Sequence, residues 1–179
     1  QALAGATPGG QLDMNGLGHV RPEPCIEETG ERYSTPTVLY RVQWFGDGNR
    51  LCYARITDDT PYRDIYVYDL AEEREHQVTR QARAKDPAPS PDGKTIAYVH
   101  NEGGIQNLAL VDADGKNTRR LTNFNNGTQL HSPCWLPDGK KIILGIMHEK
   151  NRDIAIVKAD ATPFDRVRKL TDTTFFADS

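Results

Sequence analysis

A short phrase returns three times along this chain at a nearly constant interval. It reads Trp44-Phe45-Gly46-Asp47-Gly48-Asn49, then Ser90-Pro91-Asp92-Gly93-Lys94, then Leu136-Pro137-Asp138-Gly139-Lys140. The central aspartates stand 45 and 46 residues apart. That period is too long for a hairpin and matches a supersecondary unit of several strands, which cannot bury its apolar face alone and must stack on its neighbours. The chain is thereby confined to a repeat architecture.

The residues after each turn keep the same register. Leu51-Cys52-Tyr53-Ala54 aligns without gaps with Ile96-Ala97-Tyr98-Val99 and with Ile142-Ile143-Leu144-Gly145, and these read as the second strand of each unit. Further on, Asp64 to Asp69, Asn107 to Asp112 and Asp153 to Lys158 give a third strand, apolar at alternate positions on at least one face. Each unit closes on a short polar strand ending in Val78-Thr79, Leu121-Thr122 or Leu170-Thr171. Four strands per unit at this period make a propeller blade.

Turn chemistry supports hairpins. Pro91 and Pro137 preset the backbone for the second position of a type I turn, and Gly93 and Gly139 accept the positive φ that follows. Gly46 replaces the proline in the first unit, which predicts a looser turn there. Asp112-Ala113-Asp114-Gly115-Lys116 begins like a calcium loop, but the residues after Gly115 are Lys116, Asn117, Thr118, Arg119 and Arg120, so it reads as a second hairpin.

Composition bounds the alternatives. The 179 residues are 26% charged with 15 Gly and 11 Pro, and the net charge of −3 gives no reason to expect nucleic acid. The basic run Arg80, Arg83, Lys85 with Arg74 reads as a solvated loop surface. The longest apolar run, Ile142 to Met147, is far below the ~18 residues of a membrane span. No basic stretch leads into an apolar core at the start, so a secretory signal is absent or already removed. Residues 1–36, rich in Gly and Pro, read as an extended arm; the blades are expected at 37–85, 86–131 and 132–179, the last including the start of a further blade.

Three cysteines, Cys25, Cys52 and Cys134, show no metal-binding spacing. Cys52 reads as a small buried apolar residue, while Cys25 is open to pairing with Cys134 or with a partner. His131, Cys134 and His148 fall short of a converging ligand set, so no metal and no cofactor is expected. Trp44 and Trp135 are expected to pack between blades, and Tyr53, Tyr62, Tyr66 and Tyr68 to form a local cluster. No GxSxG elbow, HExxH helix or phosphate-cradling glycine loop occurs, so no catalytic residue is assigned.

The stretches Asp86-Pro87-Ala88-Pro89-Ser90-Pro91-Asp92-Gly93-Lys94, Arg119-Arg120-Leu121-Thr122, Ser132-Pro133-Cys134-Trp135-Leu136-Pro137-Asp138-Gly139-Lys140 and Lys169-Leu170-Thr171 resemble the TolB-like propeller family, also described as WD40-like or PD40 repeats. The resemblance spans about residues 37–179 and implies an all-β propeller of three four-stranded blades, as a partial ring or half of a six-bladed one. It also implies a protein-binding role in the bacterial envelope, either periplasmic or at the cell surface, with protein partners, and no enzymatic activity. No α/β domain of the kind that precedes the propeller in TolB-like proteins is expected within these 179 residues, and Pro89 stands where Trp44 and Trp135 stand in the other units. Propellers of this type also serve as gating domains of serine peptidases and as modules of surface assemblies.

Asp178 stands as far after Thr171 as Asp86 after Thr79, which reads as the opening of a fourth blade. Three blades do not close a ring, since propellers use about 4–8. The expectation is a piece of a longer protein, with a homodimer or a second subunit closing the ring as the alternatives. In a ring, the first strand of each blade lines the central channel, so Arg41, Gln43, Asp86 and Ser132 are the candidate channel-lining and ligand-contacting residues, with Ala88 and Cys134 beside them. For Asp86 and Ser132 the structural alternative is a hydrogen bond to backbone at a blade junction.

Overall fold

The computed structural model describes residues 39–173, apart from 58, 59, 164 and 166. The predicted arm, Cys25 and the predicted start of a further blade lie outside the described residues. Twelve strands appear among the described residues, in three antiparallel four-stranded sheets that follow chain order. The first blade holds β1 (Leu39–Trp44), β2 (Arg50–Thr57), β3 (Thr60–Asp69) and β4 (Arg74–Gln77). The second holds β5 (Lys85–Pro89), β6 (Thr95–Glu102), β7 (Ile105–Asp112) and β8 (Arg119–Arg120). The third holds β9 (Gln129–Trp135), β10 (Lys141–His148), β11 (Asn151–Lys158) and β12 (Arg168–Lys169). The innermost strands stand side by side, β1 next to β5 and β5 next to β9.

The period of two in a strand decides how the blades stack. In the second blade, Ile96, Tyr98, Ala109 and Val111 face the first blade and meet Phe45, Cys52, Ala54, Ile65 and Val67. The alternate residues Ala97, Val99, Leu108 and Leu110 face the third blade and meet Leu130, Ile142, Leu144, Ala155 and Val157. The middle sheet therefore buries both faces, which is why β7 is buried from Gln106 to Val111. In β11 only alternate residues are buried, and Ile154 on its other face is 46% exposed.

The three repeated turns are one structure. Phe45, Ser90 and Leu136 each donate N–H to the carbonyl five residues on, and Gly48, Gly93 and Gly139 donate back to those same residues. The carboxylates of Asp47, Asp92 and Asp138 each accept from the backbone N–H two residues ahead. The first turn is therefore no looser than the others, a correction to the reading from Gly46: the aspartate holds the turn, and proline only presets it. Gly115 turns at φ 85°, and a Cβ there would stand 2.9 Å from the Val78 carbonyl oxygen of the first blade.

A second repeated device fastens each blade to the segment that leaves it. Thr79, Thr122 and Thr171 accept from the N–H of Ile65, Leu108 and Ile154 and donate to the side chains of Asp64, Asn107 and Asp153. Those same oxygens accept the N–H of Ala82, Phe124 and Thr173. The threonines lie just past β4, β8 and β12, so each predicted closing strand stops two residues earlier than the threonine that marks it.

One expected core residue is misplaced. Trp135 packs against the cluster between the second and third blades, but Trp44, at the matching place in the first blade, is 59% exposed. No blade precedes the first among the described residues, so its indole has nothing to pack into. Within the expected aromatic group Tyr53 and Tyr66 stack at 6.4 Å, and the Arg83 guanidinium lies over the Tyr62 ring.

Candidate functional site

Each innermost strand carries a bulge at the same place. β1 slips register between Tyr40 and Gln43, β5 between Lys85 and Ala88, and β9 opposite Ile143 and Gly145 of β10. Within each bulge one non-glycine residue has positive φ: Arg41 at 44°, Asp86 at 52° and Ser132 at 53°. Such backbone costs of the order of 1–3 kcal/mol per residue unless its surroundings hold it. A bulge re-aims a side chain that the regular pleat would send elsewhere.

The three re-aimed side chains meet. Arg41 Nη2 donates to Ser132 Oγ at 2.5 Å across 91 residues of sequence, and its Nε lies 3.5 Å from Asp86 Oδ1. The other Asp86 oxygen accepts the Ser132 backbone N–H at 3.1 Å. One guanidinium thus ties three consecutive blades at their inner strands. The Arg41 side chain stays 47% exposed and the Asp86 side chain only 18%, so the cation faces solvent over a shielded carboxylate.

Asp86 therefore makes the backbone bond that a blade junction calls for and an ion pair as well, while the Ser132 hydroxyl serves the arginine. Gln43, two residues along β1 and half-buried, takes no part in this network. It shares a second tier with Ala88 and with Cys134, which is exposed and free. Sequence reasoning picked these inner-strand positions from the repeat; it did not foresee the bulges, whose only trace is the matched spacing of Arg41, Asp86 and Ser132.

In the basic run singled out in the sequence, Arg74, Arg80 and Arg83 are exposed, as a solvated surface requires, and Lys85 departs from it. Lys85 is half-buried, and that burial, reinforced by the Arg63 charge and opposed by Asp86, pulls its ammonium below the usual lysine range. Among the described residues no group of three or more His, Cys, Asp or Glu is placed to hold a metal ion, and no helix is long and apolar enough to cross a membrane.

Comparison with known proteins agrees with the repeat. The family model for the TolB beta propeller domain, PD40, matches residues 33–177. Among curated proteins, the chain is 29% identical over 110 residues to the Uncharacterized peptidase YuxL of Bacillus subtilis, covering 58% of this chain and 16% of that protein. It is 30% identical over 131 residues to Dipeptidyl-peptidase 5 of Porphyromonas gingivalis, with 63% and 19% covered. It is 27% identical over 123 residues to the Protein TolB homolog of Chlorobaculum tepidum, with 68% and 27% covered. The chain thus spans less than a third of the length of these relatives. Among solved structures, a putative TolB from Agrobacterium tumefaciens superposes with a TM-score of 0.64 at 23% identity, over 78% of this chain and half of that one. An acylaminoacyl peptidase gives 0.55 at 13% identity, over 74% of this chain and 25% of that one. Repeat, turn, sheet order and family match agree, and the chain belongs to the TolB β-propeller domain family.

Proposed function

We propose that this chain is the protein-binding propeller of a bacterial envelope protein, in the periplasm or at the cell surface. In this reading an extended segment of a partner enters between the inner strands at Arg41, Asp86 and Ser132. The observation that carries the reading is the convergence of three side chains from three blades, each on backbone that is costly to hold. Arg41 offers exposed N–H donors to a peptide carbonyl or carboxylate, and Asp86, paired with it, holds the guanidinium in place. Relatives named as Tol-Pal system protein TolB support the envelope setting.

The test is selection of a displayed random-peptide library on the immobilised chain, followed by counter-screening on Arg41→Ala and Asp86→Asn. Recovered peptides should lose tenfold or more in affinity on both variants while the variants stay folded. Binders indifferent to both substitutions, or peptide hydrolysis by the purified chain, would overturn the reading.

The second reading is the propeller portion of a larger peptidase, where the same inner strands restrict what reaches a separate catalytic domain. The match to YuxL and to Dipeptidyl-peptidase 5 favours it. A hydrolase domain encoded in frame after Ser179 decides for this second reading, and a partner-binding or anchoring segment there decides for the first.

A further inference from the structure

We propose that a cleft between the first two blades, beside the inner-strand network, binds an acidic segment of a protein partner. This deepens the protein-binding reading and rests on it. The cleft measures about 410 Å³, within the range of ligand pockets, and is walled by Pro61, Tyr62 and Arg63 of β3, by Arg83 and Lys85, and by Asn101 of β6. Among the described residues no carboxylate lines it, although the chain as a whole is acidic at −3.

Two features hold the cations in place. The Arg83 guanidinium lies 4.4 Å above the Tyr62 ring centre, leaving its edge free to meet an oxygen pair. Arg83 itself sits at φ 46°, with Gln81 at 53°, in a linker pinned where Asp64 accepts the N–H of Gln81 at 2.8 Å and of Ala82 at 2.9 Å. Lys85 follows, half-buried, with its neighbour Asp86 already engaged by Arg41 and Ser132.

The next junction shows that the fold does not need these charges. At the places of Arg63, Arg83 and Lys85 the repeat puts Gln106, Gln129 and His131. There the Gln106 amide oxygen accepts the Leu130 N–H at 2.8 Å, at the position where the Arg63 carbonyl accepts from Ala84. Gln129 has ordinary backbone where Arg83 has positive φ. The first junction thus carries a strained linker with Arg83 and Lys85 where its counterpart has Gln129 and His131. Separate cationic groups beside an aromatic ring and an amide suit carboxylates spaced along an extended peptide.

The experiment uses the full chain and a fluorescein-labelled peptide of alternating Glu and Gly, read by anisotropy at pH 8 and low salt. The same peptide with Gln for Glu is the control, and inorganic triphosphate the competitor. Arg83→Gln and Lys85→His each install the residue the next junction uses, so the fold tolerates them, and melting curves check this. The Glu peptide should bind, weaken tenfold or more in each variant and outbind the Gln control. Equal binding to wild type and variants, or no binding at all, overturns the proposal, and triphosphate displacing the peptide stoichiometrically at equal affinity makes the cleft a plain anion site. If library peptides still depend on Arg41 while the Glu peptide fails, the cleft assignment falls and the protein-binding reading stands.

Discussion

The indole N–H of Trp135 donates to the main-chain carbonyl of Ala88 at 2.9 Å, joining the third blade to the inner strand of the second. Trp44 occupies the same place in the first blade and is 59% exposed. The two tryptophans of the chain therefore report opposite environments. Trp135→Phe should lower stability by about 1 kcal/mol through the lost bond, and Trp44→Phe by less than about 0.5 kcal/mol. Urea denaturation measures both, and iodide should quench the Trp44 emission far more than that of Trp135. Equal costs, or equal quenching, would contradict the assignment of Trp135 as the inter-blade contact.

Thr122 is the buried knot of the middle blade, at 1% exposure. Its hydroxyl accepts from Leu108 N–H and donates to Asn107 Oδ1, both at 2.9 Å. Thr122→Val keeps the shape and leaves the Leu108 N–H without its acceptor. A buried donor left unmatched costs about 1–3 kcal/mol. Thr122→Ser keeps the hydroxyl and should recover most of that loss in the same denaturation experiment, which separates the hydrogen bond from the packing.

The fold was largely legible because the repeat fixes turns and strands together. Asp47, Asp92 and Asp138 mark identical turns, and the alternation in β6 and β7 follows from stacking on two sides. Trp44 misled because its sequence context equals that of Trp135, while its burial depends on what stands next to it. The site was half legible. Spacing led to Arg41, Asp86 and Ser132, but the bulge that swings them together leaves no composition signal, since Arg, Asp and Ser share no turn propensity. Arg83 and Lys85 look like surface charges until β3 and the linker bring Tyr62 and Arg63 against them.

Acid should unfold the chain through its turn and latch carboxylates. The Lys169 ammonium, the Thr173 backbone N–H and the Thr173 and Thr171 hydroxyls hold Asp153 far below the usual carboxylate range, and hydrogen bonds from Ser90 and from Lys94 N–H lower Asp92. A depressed native pKa contributes stability that is full above the unfolded value of about 3.9 and is lost as pH falls through the native one. Lys169 is raised by its bond to Asp153, so its contribution is full below the unfolded lysine value and fades at the alkaline end. The urea midpoint should stay flat near neutrality and fall progressively below about pH 4. Asp153→Asn should lower the neutral plateau and flatten that acid slope; an unchanged slope would remove Asp153 from the acid response.

The two described cysteines should differ sharply toward thiol reagents. Cys52 on β2 is fully buried, and burial pushes its thiol up to about 12, so almost no thiolate exists at pH 8 and no reagent reaches it. Cys134 on β9 is exposed and free, two residues past Ser132 on the same inner strand. In a Cys25→Ser background, a disulfide reagent should titrate one thiol in the native chain and two after denaturation, the second appearing at the rate of global unfolding. Prompt reaction of both thiols would mean that the first blade opens locally. Cys134 also lies on the path assigned to a partner peptide. A bulky label there should abolish binding of library-selected peptides, whereas the same label on a cysteine placed at exposed Lys150, in the β10–β11 turn, should leave it intact. Undiminished binding to the Cys134-labelled chain would move the peptide off the inner strands.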